Sequence, residues 1–247
     1  MQVPAVHGII ERRLLVNYRV DPAVLAPVLP PPFRPKLVDE TAIAGICLIR
    51  LGSIRPRGIP AAFGVSSENA AHRIAVEWDE GPETREGVFI PRRDSSSRLN
   101  RLLGGRLFPG MHHPARFDVR EGPEDFHVAM TSRDRVTHVL VAGRIASELP
   151  ATSVFRSLAE ASAFFERGAL GYSATARTGV FDGLELRSFG WRLEPLAVTA
   201  VRSSFFEDRS RFPAGSVAFD CALVMRNIRH EWRAHRPMCV VASDAAA

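Results

Sequence analysis

Apolar and β-branched residues crowd Ile9 to Val20 in the manner of a strand, and Asp21-Pro22 then cuts the run. Asp21 can accept from free backbone N–H groups and Pro22 suits a first helical position. This predicts about two helical turns over Ala23 to Leu29, ended by Pro30, Pro31 and Pro32. Further strands are predicted over Ala42 to Leu51, Arg73 to Trp78 and Gly87 to Pro91. Asp94 stands where it can cap a helix over Ser95 to Leu103, closed by Gly104-Gly105. Phe126 to Thr131 and Thr137 to Ile145 read as paired strands around the polar turn Ser132 to Arg135. The clearest helix covers Leu158 to Arg167. Ser157 and Glu160 have capping-box spacing, and Gly168 stands where a left-handed residue is wanted. Leu184 to Leu193, Leu196 to Phe206 and Ser216 to Ile228 return to strand. The expectation is an α+β chain, predominantly β: one curved, mostly antiparallel sheet with a few short helices.

Composition adds bounds. With 247 residues, 46% of them hydrophobic, the chain can bury a sizeable core. No linker is visible, so residues 1–242 read as a single domain, with a disordered Ala-rich tail at 243–247. No apolar run approaches the roughly eighteen residues of a membrane span, and the N-terminus lacks the apolar core of a signal peptide. Cys47, Cys221 and Cys239 form neither a disulfide framework nor a CxxC motif, which points to a reducing cytoplasm. The basic residues are 31 arginines and the single lysine Lys36. Acidic residues are interleaved with them and no nucleic-acid-binding motif is present, so nucleic acid is a disfavoured partner.

Several blocks resemble one family: VDPAVLAPVLPPPF (20–33), IRPRGIP (54–60), SENAAHRIAVEW (67–78), GVFIPRRDSSSRLNRLLGGRLFPGMHHPARF (87–117), FFERGALGYS (164–173), WRLEPLAV (191–198), SSFFED (203–208) and FDCALVMRNIRHEW (219–232). In order and together they look like the YqjF-like family of uncharacterised proteins, within the acetoacetate decarboxylase-like superfamily. The resemblance implies a β-cone or barrel-like sheet around a small-molecule cavity. Superfamily members often assemble, which makes a homo-oligomer an expected partner arrangement. In acetoacetate decarboxylase a lysine pair follows a Gly-aromatic-Pro turn, and one lysine forms a Schiff base with its substrate. Here the matching positions are His112 and His113. Neither can form an iminium, and Lys36, read as a solvent-facing loop residue, lies in another segment. Schiff-base decarboxylation is therefore disfavoured.

The remaining candidates follow from side-chain chemistry. His112 and His113 are adjacent on an extended segment, so one of them at most faces a cavity, where it can act as acid or base near neutral pH. Glu68 matches the family's cavity carboxylate and is the expected partner of that histidine. Arg92, Arg93 and Arg98 offer guanidinium forks for a substrate carboxylate, although an internal Arg–Asp ion pair of Arg92 or Arg93 with Asp94 is the simpler reading. Trp191 and Glu194 are further candidates for the cavity wall. His230, Glu231 and His235 have HExxxH spacing, which does not place two histidines on one helix face, so no metal is expected. No cofactor is expected either. The reading is an enzyme performing proton transfer on a small carbonyl or carboxylate metabolite, of lyase or isomerase type. The alternatives are a noncatalytic small-molecule-binding protein and a polyanion binder.

Overall fold

The computed structural model describes residues 5–97 and 110–240. Thirteen strands dominate: β1 (Val6–Val20), β2 (Arg34–Pro35), β3 (Leu37–Val38), β4 (Thr41–Pro56), β5 (Val65–Glu80), β6 (Glu83–Ser95), β7 (His112–Glu121), β8 (Asp125–Ser132), β9 (His138–Ile145), β10 (Leu170–Ala174), β11 (Val180–Phe189), β12 (Glu194–Ser203) and β13 (Val217–Cys239). They form one sheet, antiparallel except where β6 meets β7 and β10. Two extra pairings, β5 with β6 and β11 with β13, close this sheet into two rings that share a wall. The smaller ring runs β1, β4, β5, β6, β10, β11 and β13. The larger replaces β10 and β11 with β7, β8, β9 and β12.

The shared strands carry apolar residues on both faces, as strands covered on both sides must. Leu14 to Tyr18 in β1 and Ala42 to Ile49 in β4 are buried without alternation. The inside of the larger ring is filled by Leu14, Val16, Ile46, Leu48, Val128, Met130, Val141 and Val224 among others. Gly45 permits the close approach of β4 to β1: a Cβ there would lie 2.3 Å from the Val16 carbonyl oxygen.

The rings fork at two residues that the backbone chemistry identifies. β13 pairs with β12 through Glu194–Leu196 and with β11 from Arg229 onward. Between these stretches Asn227 adopts φ 55°, a left-handed turn that asparagine tolerates and that swings the strand to its new partner. β6 pairs with β10 at Val88–Ile90 and with β7 at Arg93–Ser95. Pro91 lies between them and has no N–H with which to continue a ladder.

The helices are short. At α1 (Pro22–Leu25) the Asp21 carboxylate accepts from the Ala23 N–H at 2.8 Å, as the sequence suggests. The helix is one turn, not two: Pro27 cannot donate, and a 3-10 turn over Ala26–Val28 takes over. In α2 (Leu158–Arg167) Ser157 Oγ accepts from the Glu160 N–H at 3.1 Å, while the Glu160 carboxylate reaches the N–H of Arg156. Gly168 has φ −75° and needs no left-handed freedom. The helix expected over Ser95 to Leu103 begins wrongly, because β6 continues through Asp94 and Ser95. Ser96 and Ser97 are not helical either, and the rest, with Arg98, falls within residues 98–109 and outside the described residues, as does the tail at 243–247. Strands β7 and β10 were not anticipated, and β13 runs to Cys239, well past Ile228. Lys36 is not solvent-facing: its ammonium pairs with Glu86 and lies 4.5 Å over the Phe164 ring.

Candidate functional site

A cavity of about 370 Å³ occupies the smaller ring, and all seven strands of that ring contribute to its wall. Alternation supplies the lining. β1 turns Arg13 inward, β4 Cys47 and Ile49, β5 Asn69, Ala71 and Arg73, and β6 Val88, Ile90 and Arg93. Leu184, Leu186 and Ser188 of β11 and Trp232 of β13 also line it, as do Phe165 and Trp191.

Arg13, Arg73, Arg93, Arg187 and Arg233 line the cavity together with Asp94, Glu166 and Glu185, and three of these guanidiniums, Arg13, Arg73 and Arg93, sit on β1, β5 and β6. Arg13 Nε donates to Cys47 Sγ at 3.3 Å, and its guanidinium lies 5.9 Å from the Trp191 ring centre. Arg73 donates to Asn17 Oδ1 and stacks 4.8 Å over Phe165. Arg93 Nε donates to Ser173 Oγ at 2.8 Å. None of the three forms an ion pair with a carboxylate among the described residues. Arg13 Nη1 and Arg73 Nε are buried without a hydrogen-bond partner. Burial pulls Arg73 and Arg93 down to about 10, the direction in which an uncompensated buried cation moves.

His112 opens β7 beside Arg93, on the cavity wall. Its Nδ1 lies 3.2 Å from the Gly110 carbonyl oxygen, which can only accept, so Nδ1 carries the proton and Nε2 is the basic nitrogen of the neutral ring. Burial, and then Arg93, lower its pKa to about 4. His113 points the other way, as alternation requires. Its Nδ1 lies 3.7 Å from Asp134, which Arg92 also bridges at 2.8 Å while holding Asp94 with two 3.1 Å hydrogen bonds. Ser132 and then Arg92 hold the Asp134 carboxyl well below the usual range. Burial raises that of Asp94 despite Arg92.

The sequence candidates therefore separate. Arg93, His112 and Trp191 line the cavity; His113, Arg92, Glu68 and Glu194 are not among its lining residues. Glu68 belongs to an ionic cluster instead, accepting from Arg12 at 2.5 Å and Arg50 at 2.6 Å, with Glu121 bridging the same two arginines. Glu194 pairs with Arg226 at 2.9 Å. Arg13, Arg73 and Cys47 were missed by sequence reasoning. Arg13 was hidden in the pair Arg12–Arg13, whose members point to opposite faces, and Arg73 inside a predicted strand core.

A family model described as DUF2071, Uncharacterized conserved protein (COG2071), matches residues 10–209. No curated protein matches the sequence. Among solved structures, acetoacetate decarboxylase from Legionella pneumophila superposes with TM-score 0.61 at 10% identity, over 97% of this chain and 88% of that one. An acetoacetate decarboxylase-like enzyme from Sphingomonas wittichii RW1 gives 0.58 at 12% identity, over 98% and 94%. The enduracididine biosynthesis enzyme MppR, in a complex with pyruvate, gives 0.60 at 11% identity, over 97% and 91%. At these identities the shared property is the fold.

Proposed function

The chain belongs to the DUF2071 family of uncharacterized conserved proteins, and on that footing we propose that its cavity binds a small carboxylate-bearing metabolite and transfers a proton on it. The observation that carries this reading is that Arg13, Arg73 and Arg93, three of the five arginines on the cavity wall, have no carboxylate paired to them among the described residues. Buried cations left uncompensated are costly, and an anionic ligand relieves that cost. Apolar wall residues such as Ile49, Leu184 and Leu186 suit the carbon skeleton. The MppR complex with pyruvate offers a ligand of this kind in the same fold.

In this reading Arg73 and Arg93 hold the carboxylate and His112 Nε2 takes or returns the proton. The anion also tunes the base. Negative charge beside the imidazole favours its protonated form, so His112 rises from about 4 toward neutrality when ligand binds. The chemistry is enolisation, isomerisation or hydration, since no lysine lies on the cavity wall. Glu68 is assigned to the Arg12–Arg50 cluster, as a structural residue. His113 and Arg92 are likewise assigned to the Asp134 cluster.

The test is native mass spectrometry and thermal shift with pyruvate, acetate and their amides, on the natural chain and on Arg73→Met and Arg93→Met. Carboxylates should bind in preference to amides, and each substitution should weaken them at least about tenfold. Equal binding of acids and amides would sink the reading. The low His112 value supports a second reading, a noncatalytic binder. Exchange of ligand C–H protons in D2O, lost in His112→Gln, separates the two.

A further inference from the structure

One rung of the ladder crosses the cavity wall with an unusual set of side chains. Cys47 on β4 faces Ala71 on β5, Ala71 faces Arg93 on β6, and Arg93 faces His112 on β7. All four line the cavity. The small Ala71 leaves space between the thiol and the arginine-histidine pair. Arg13 donates to the Cys47 sulfur at 3.3 Å, and negative charge on that sulfur is favourable to both Arg73 and Arg93. Arg73 is 5% exposed, and its Nε on the same wall has no hydrogen-bond partner. Among the described residues, Cys47 is the cysteine that lines the cavity. Cys221 also interacts with Arg73 but is fully buried and is not on the cavity wall. Burial pushes Cys221 up to about 12, and Cys239 is exposed at the end of β13.

Resting on the carboxylate reading above, we propose that Cys47 is the nucleophile of the cavity and bonds reversibly to the carbonyl carbon of a 2-oxo acid. The arginines hold the carboxylate, which brings the neighbouring carbonyl to the sulfur. An S–C bond forms as the C=O π bond breaks onto oxygen, and the thiol proton passes to that oxygen by way of His112 Nε2. The product is a hemithioketal, and no leaving group, oxidant or reductant is needed. The thiol thus occupies the chemical place of an absent amine without giving its iminium.

The natural chain is labelled at neutral pH with iodoacetate or iodoacetamide, and each cysteine is followed by peptide mass mapping. In either case sulfur displaces iodide and the thiol proton goes to buffer. Anionic iodoacetate should be favoured over neutral iodoacetamide at Cys47 by about tenfold or more relative to Cys239, because the arginines concentrate it. Millimolar pyruvate should slow labelling at Cys47 alone. A reagent ratio at Cys47 equal to that at Cys239, or no protection by pyruvate, overturns the nucleophile. Native mass spectrometry of the same sample with acetate separates the two failures. Acetate bound with Cys47 unreactive removes only the nucleophile, whereas acetate unbound removes the carboxylate reading beneath it.

Discussion

At the residue scale, alternation along strands sorts neighbours with similar chemistry into different environments. Arg12 and Arg13 face opposite sides of β1: one joins the Glu68–Glu121 cluster and the other lines the cavity. Arg92 and Arg93, and His112 and His113, separate in the same way. Glu68→Gln should therefore cost stability, on the order of 3 kcal/mol, by leaving the nearly fully buried Arg12 with one carboxylate fewer. Chemical denaturation measures that loss, and carboxylate binding should stay intact in the folded fraction. For His112, a two-dimensional NMR titration should place its pKa near 4 in the empty cavity and higher with acetate bound. An unchanged value would separate His112 from the ligand.

At the scale of elements, strands that change partners make the cavity. Asn227 and Pro91 mark the divergence of the two rings, each for a backbone reason. Asn227→Val places a β-branched residue at φ 55° and should cost about 1–3 kcal/mol, whereas Asn227→Gly should cost less. Comparison of the two melting curves distinguishes backbone strain from loss of the asparagine side chain. Ser157→Ala removes the cap of α2 and should cost about 1 kcal/mol, read in the same assay. The short helices were legible because their caps are local. Strand β7 was not, because its first residues enter the ladder beside Arg93 to Ser95, across an intervening stretch of chain.

At the scale of the molecule, burial of neutral histidines ties stability to pH. His72, His112 and His230 are held at about 3, 4 and 4, in each case first by burial. Above the unfolded value of about 6.5 neither state binds the proton, and their full contribution is present. As pH falls below that value the unfolded chain takes up protons that the folded chain refuses. Stability should then decline toward the folded values, by up to about 1.4 kcal/mol per pH unit for each histidine. Denaturation midpoints between pH 7.5 and 4.5 should show this, and His230→Asn should flatten the decline.

The sequence by itself determined the β-rich sheet, the capped helix at Leu158–Arg167, the family resemblance and the absence of a lysine from the segment His112–His113. These are carried by local pattern and by residue identity, which need no partner in space. The tertiary structure decided which of two adjacent side chains enters the cavity, and that Arg13, Arg73, Arg93, His112 and Cys47 share one wall. That placement depends on strand register and on bulges such as the shift between His72 and Ile74, and a change of one residue in register reverses every face. The missing lysine was visible in one dimension; the thiol among arginines needed three.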